Sequence, residues 1–172
     1  MSEPTVHDLI EAWSSAYAGL SQAEIDQRIL GFAALVGAIA ERGSAGAEDL
    51  ANALGVSAEE AGTVLEGLAA GGFQIDAEGR VVGAALTSKP TPHRLRIGAN
   101  DLYAWCALDT LFLPGLLGET AEVESICPES GEPIRLTVAP DRFEGLEPDG
   151  AFLSIVDPRA LASRQLGPAS PT

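Results

Sequence analysis

Apolar positions recur at helical spacing through the first half of the chain and at two-residue spacing towards its end. Leu9, Ile10, Trp13, Tyr17 and Leu20 predict an amphipathic helix over residues 1–21. Ile25, Ile29, Phe32, Leu35, Val36 and Ile39 predict a second helix, opened by Ser21 with Glu24 as its capping-box partner and stopping near Gly43. Ala47–Leu54 then reads as a short helix, Gly55-Val56 as a turn, and Ser57–Ala70 as a helix capped by Ser57 with Glu60 three residues on. Gly71-Gly72 ends it. Phe73–Asp76 and Arg80–Leu86, joined through Ala77-Glu78-Gly79, read as a β-hairpin. A helix-turn-helix rhythm followed by a hairpin has the outline of a winged helix.

The second half is organised differently. Thr87–Ala99 contains prolines and reads as a partly extended crossing segment. Asn100 or Asp101 offers an N-cap for an apolar helix over Leu102–Leu113; Pro114-Gly115 bends or restarts the chain and Leu116-Leu117-Gly118 closes the element. Glu119–Ile126 alternates as a strand, Cys127–Glu132 turns, and Pro133–Val138 returns as its partner. A loop around Glu147-Pro148-Asp149-Gly150 leads to a third strand over Ala151–Val156, after which the chain becomes rich in Pro, Ser and Ala. The expected fold class is α+β. A winged-helix-like helical module, 1–86, precedes a small, mostly antiparallel β domain, 87–172, that carries the Cys106 helix.

Composition narrows the functional classes. An apolar fraction of 46% over 172 residues suits a folded globular chain. The net charge of −15 opposes binding to a phosphate backbone. The would-be recognition helix, Ser57–Ala70, holds three Glu and no Lys or Arg, so the helix-turn-helix is expected to be structural rather than DNA-binding. The short basic stretch Lys89–Arg96 reads as a solvated connector. Ser2-Glu3-Pro4 lacks the basic-then-apolar order of an export signal, and the apolar run Leu102–Leu117 is broken by Asp109 and Pro114. Two cysteines make no disulfide framework, so free thiols in the cytoplasm and no membrane partner are expected.

The candidate chemistry sits at Cys106 and Asp109. Three residues apart on one helix, they would share a face, pairing a soft nucleophile or metal ligand with a proton donor. A thiol near a helix start is expected to have its pKa lowered by the macrodipole, while Asp109, if buried beside Trp105, Leu108 and Phe112, would be held protonated. Against this, a helical cysteine is more often inert filler, and an aspartate can simply bond nearby backbone. Cys127, before Pro128, lacks the second Cys or His of a zinc site and is expected to pack under its hairpin. His7 and His93 have no local partner pattern and read as surface or loop residues. No phosphate-binding Gly loop, GxSxG or HExxH is present, and no resident cofactor is expected.

The stretch Leu102-Tyr-Ala-Trp-Cys-Ala-Leu-Asp-Thr-Leu resembles the core of the organomercurial (alkylmercury) lyases. So do Phe112-Leu-Pro-Gly-Leu-Leu-Gly, Thr120-Ala-Glu-Val-Glu-Ser and Cys127-Pro-Glu-Ser-Gly-Glu-Pro-Ile-Arg-Leu-Thr-Val. The resemblance extends to Leu50-Ala-Asn-Ala-Leu-Gly-Val and the Asp76-Ala-Glu-Gly-Arg hairpin. It implies protonolysis of a carbon–mercury bond, releasing a hydrocarbon and Hg(II), in a lyase-like domain over 87–172. It further implies that Cys106 holds mercury as thiolate, that Asp109 helps deliver the proton, and that both can ligate the metal. Cys127 becomes a supporting residue. Organomercury compounds are then the substrates, cellular thiols remove the product, and mercuric reductase is a candidate partner. The family also carries a second catalytic cysteine in a Phe-Cys-x-His-Val-His-Phe-Phe-like segment. No position here matches it, so the expectation is a C-terminally shortened relative whose turnover is impaired to the extent that this thiol is needed. The alternatives are a mercury-binding relative without turnover and, behind it, a winged-helix regulator.

Overall fold

The computed structural model describes residues 19–70 and 72–154. Residues 1–18 of the helix expected over 1–21, His7 among them, and the end of the strand expected over Ala151–Val156 lie outside them. The chain groups into two compact units. One comprises Gln27–Leu153; of the other, Met1–Asp26 with Ser154–Thr172, only residues 19–26 and 154 are described. No described helix is long and apolar enough to cross a membrane.

Helix α1, Gln22–Arg42, starts as its sequence predicts. The Glu24 carboxylate accepts from the Ser21 N–H at 2.8 Å and the Ser21 hydroxyl accepts from the Glu24 N–H at 3.3 Å, satisfying donors that a helix start leaves orphaned. Helix α2, Ala47–Leu54, and helix α3, Ala58–Ala70, follow, the latter opened by the same reciprocal arrangement between Ser57 and Glu60. Strands β1, Gln74–Ile75, and β2, Val81–Ala84, form the expected hairpin. Its turn is tied by Asp76, whose carboxylate accepts from the backbone N–H of Glu78 and of Arg80.

The described residues build one antiparallel sheet of eight strands, ordered β1-β2-β3-β5-β4-β6-β7-β8. The remaining strands are β3, Leu86–Thr87; β4, His93–Ile97; β5, Asn100–Ala104; β6, Ala121–Ile126; β7, Pro133–Ala139; and β8, Arg142–Glu147. Helix α4, Ala107–Leu117, lies between β5 and β6 in the chain and packs on β4, β5, β6 and β7.

Three expectations are corrected here. Residues 100–104 are a strand, not the start of a helix: Leu102 and Ala104 are buried on the inner face, and β5 pairs along its length with β4. The supposed connector at 89–96 contributes most of β4, a strand in the middle of the sheet. The third strand of the C-terminal meander is Arg142–Glu147; Ala151–Ser154 carries no strand.

Burial follows the pleat. On β4 and β6, Leu95, Ile97, Ala121, Val123 and Ser125 are buried inward, while Arg96 and Glu122 are exposed on the other face. The inward residues join Leu35 and Ile39 of α1, Leu50 of α2, Leu65 of α3 and Leu113 of α4 in one core. Helix α4 sits close to the β7–β8 turn because residue 115 is glycine: a Cβ there would lie 3.1 Å from the Pro140 carbonyl oxygen. Gly118 then ends the helix in the left-handed region, φ 69°, where its own lack of a Cβ avoids the usual penalty. Pro114 remains inside the helix and is fully buried, so it does not restart the chain.

Candidate functional site

Cys106 lies in the two-residue link between β5 and α4. Its approach is fixed by neighbours on both sides. The Trp105 N–H donates to the Ala85 carbonyl at 2.9 Å, and Ala85 itself sits at φ 59°, a left-handed conformation unusual for a residue with a side chain. The Thr91 hydroxyl donates to the Ala104 carbonyl at 2.6 Å, tying the entry of β4 to the end of β5. Cys106 then adopts extended backbone, φ −141° and ψ 167°, and serves as the N-cap of α4.

This alters the expected relation between the two candidate residues. Cys106 and Asp109 are brought together, but as N-cap and third helical residue rather than as neighbours on one helix face. The Asp109 carboxylate accepts from the Cys106 backbone N–H at 2.8 Å. The Asp109 N–H points back at Cys106, 3.2 Å from its carbonyl oxygen and bonding its thiol. The sequence Cys-x-x-Asp is therefore a capping box with sulfur in place of the usual hydroxyl. Cys106 is exposed and Asp109 half-buried. Trp105, Leu111 and Phe112 each leave more than a third of their surface in solvent, so the start of α4 is bordered by exposed apolar side chains.

Partial burial pushes the Cys106 pKa up from its ordinary value. The Asp109 N–H opposes this, the Asp109 carboxylate reinforces it through its hydrogen bond and charge, and the Leu108 N–H again opposes. The helix-start effect expected from sequence is present in these N–H groups and is outweighed. Cys127 behaves in the opposite way. It occupies the β6–β7 turn, and hydrogen bonds from the Ser130 hydroxyl and from the backbone of Ser130 and Glu129 hold its thiol below the ordinary value. β4 lies between β5 and β6, so two strand spacings, about 10 Å, separate the strand lines that lead to the two cysteines.

One residue read as surface or loop is neither. His93 opens β4 on the inward face, in register with Ala104 of β5 and Ser125 of β6. It is half-buried, and its Nδ1 lies 3.0 Å from the hydroxyl of buried Ser125. Burial lowers its pKa, while the charge of Asp109 acts in the opposite direction. The signal in the sequence was the two-residue link Gly98-Ala99 between Ile97 and Asn100. It marks a tight hairpin and so makes 93–97 a strand with alternate residues facing inward.

A shallow polar depression of about 390 Å³ lies on the opposite face of the sheet. Arg94, Arg96 and Arg135 line it, paired with Asp101, Glu122 and Glu124, and it includes neither Cys106 nor Asp109. Its mutually neutralised charges offer no soft ligand. Among the described residues, no group of three or more His, Cys, Asp or Glu side chains is arranged to hold a metal ion.

Residues 86–166 match the family model for alkylmercury lyase. This segment is similar to the alkylmercury lyases. It contains β5, the Cys106–Asp109 cap and α4. The chain is 47% identical over 116 residues to an alkylmercury lyase of Bacillus cereus, covering 67% of this chain and 52% of the relative. It is 45% identical over 132 residues to that of Staphylococcus epidermidis, covering 77% of this chain and 60% of the relative. The chain thus spans about half the length of the curated alkylmercury lyases it matches. Among solved structures, the mercury-bound form of MerB2 superposes with a TM-score of 0.64 at 27% identity, covering 83% of this chain and 68% of that one. Mixed helices and an antiparallel sheet are common to both.

Proposed function

We propose that this protein cleaves carbon–mercury bonds by protonolysis, with Cys106 and Asp109 as the reacting pair. The observation that carries this reading is the cap itself: an exposed thiol and a carboxyl group held within one helical turn, inside the segment that matches the lyase family. Soft sulfur suits a soft heavy metal, and the exposed apolar rim at Trp105 suits the hydrocarbon part of the substrate. Burial pushes the thiol pKa up, which favours a thiol that brings its proton with it. As sulfur bonds mercury the thiol proton passes to Asp109, and Asp109 delivers a proton to the carbon. The carbon–mercury electron pair becomes the new C–H bond and Hg(II) stays on sulfur. Free thiols of the cytoplasm then take Hg(II) from Cys106 and can hand it to mercuric reductase.

The helix-turn-helix of α2 and α3 with the β1–β2 hairpin is read as a winged-helix-like module with a structural role. Glu59, Glu60 and Glu66 on α3 would repel a phosphate backbone.

Incubation of the purified protein with phenylmercury, followed by quantification of benzene, tests the lyase reading. Benzene release that is lost in both Cys106→Ser and Asp109→Asn supports it. Stoichiometric mercury retention on Cys106 without benzene would overturn it in favour of a binding protein.

A further inference from the structure

The sheet ends at β8, and no described strand lies beyond it. An edge strand offers a row of unpaired N–H and C=O groups to any chain that can match it. Every residue of β8 except Leu146 is exposed, Phe143 to 60%. Its two faces are fixed by β7. Phe143 lies opposite Val138, which is buried inward, so Phe143 faces inward too. Arg142, Glu144 and Glu147 lie opposite Ala139, Thr137 and Arg135 on the outward face. Strict alternation could not put residues 142 and 147 on one face, since they are five apart. The register shift opposite Leu136 inserts an extra residue, and Gly145 at φ 64° supplies the left-handed backbone that such a bulge uses. Leu146, next to outward Glu147, is thereby returned to the inward face with Phe143.

The result is a strand that complements itself. Set β8 antiparallel against a second β8, with a two-fold axis between Glu144 and Gly145. Arg142 then meets the second copy's Glu147, and Phe143 meets its Leu146. Each pair falls on one common face, charged outward and apolar inward, and the axis repeats both. The charges are also free to engage. The register partner of Glu147, Arg135, is turned to Glu124 at 2.6 Å, and Glu147 makes no ion pair among the described residues. Arg142 pairs with exposed Asp141 and Glu144 beside it, contacts that water screens.

We propose that β8 is a contact between two copies of this chain, joined antiparallel through Arg142–Glu147 and Phe143–Leu146 so that the sheet continues across the axis. A strand of six residues buries far less than a permanent interface does, so the association is weak and reversible. With a net charge of −15 on each copy, long-range repulsion weakens it further at low salt. The β7–β8 turn also abuts α4, where Gly115 faces the Pro140 carbonyl, so pairing braces the hairpin on which the Cys106 helix rests.

Sedimentation velocity of the full chain from about 10 µM to about 1 mM, in about 150 mM sodium chloride, tests the proposal without any need for turnover. The expected result is a concentration-dependent dimer. Arg142→Glu and Glu147→Arg each set like charges opposite one another twice per dimer, and each is expected to raise the dimer Kd at least about tenfold. Both side chains are exposed, so Tm is expected to change little. The double variant Arg142→Glu with Glu147→Arg restores the original Kd. An equimolar mixture of the two single variants restores it as well, because each chain then carries the charge that the other needs. A role confined to one chain gives no such rescue by mixing. A monomer throughout the concentration range overturns the proposal. So does a dimer whose Kd is indifferent to both charge reversals, or a mixture that associates no better than either variant alone.

Discussion

Cys106 carries two duties that can be separated by substitution. As an N-cap it can be replaced by serine, among the residues most favoured there, so Cys106→Ser is expected to leave Tm nearly unchanged while abolishing mercury retention. Calorimetry alongside mercury titration checks this. Asp109→Asn keeps an oxygen able to accept from the Cys106 N–H, so the cap costs no more than about 1 kcal/mol, whereas benzene release falls by about 10²–10⁴. The two thiols are expected to titrate in opposite directions from an ordinary cysteine. Since the neutral form of Cys106 is favoured by burial, its labelling by iodoacetamide should accelerate only at a higher pH than that of Cys127, whose thiolate is hydrogen-bonded. Mass spectrometry of the two peptides across pH measures both midpoints, and a Cys106 midpoint below that of Cys127 would contradict the geometry. At this scale the identity of Cys106 and Asp109 was legible from sequence. Their relation was not, because spacing of three residues describes a cap as well as a helix face.

At the scale of elements, the helices announced themselves through caps. Ser21 with Glu24 and Ser57 with Glu60 mark starts that the structure reproduces, and the β6–β7 hairpin follows from clean alternation. The error at 100–104 has a physical source. An unbroken apolar run from Leu102 to Leu108 satisfies strand and helix periods alike, and only pairing with β4 decides between them. Strand β8 was missed because it is an exposed edge strand with only Phe143 and Leu146 apolar and with Gly145 interrupting its alternation. Helix α4 depends on a close contact that sequence could not reveal. Gly115→Ala would ordinarily strengthen a helix by up to about 1 kcal/mol. Here its Cβ meets the Pro140 carbonyl, so a lower Tm is expected, with loss of benzene release as α4 lifts from the β7–β8 turn. A Tm at or above that of the unmodified protein would show that the turn yields freely.

Across the whole molecule, the net charge of −15 sets an overall self-repulsion that the visible ion pairs do not cancel. Arg96–Glu122 and Arg135–Glu124 are solvent-exposed, and such pairs contribute about 0–1 kcal/mol each. Screening therefore removes more repulsion than attraction. Tm is expected to rise as ionic strength increases from about 10 mM to about 150 mM, where the Debye length shrinks towards 8 Å. Thermal melts in a sodium chloride series check the sign. That the chain is α+β was legible because helical and alternating periods occupy different halves. That the hairpin at 74–84 extends the same sheet as the lyase segment was not, since β3 contributes only Leu86 and Thr87 to the join.

The sulfur cap at the start of α4 has one more consequence. Mercury bound to Cys106 would draw on the same sulfur lone pairs that face the Asp109 N–H, leaving that amide only its 3.2 Å bond to the Cys106 carbonyl oxygen. Occupancy of the site would then be written into amide hydrogen exchange at residues 107–109, faster when metal is held and slower once it has been handed on. The first turn of the helix would serve as the protein's own indicator of its load.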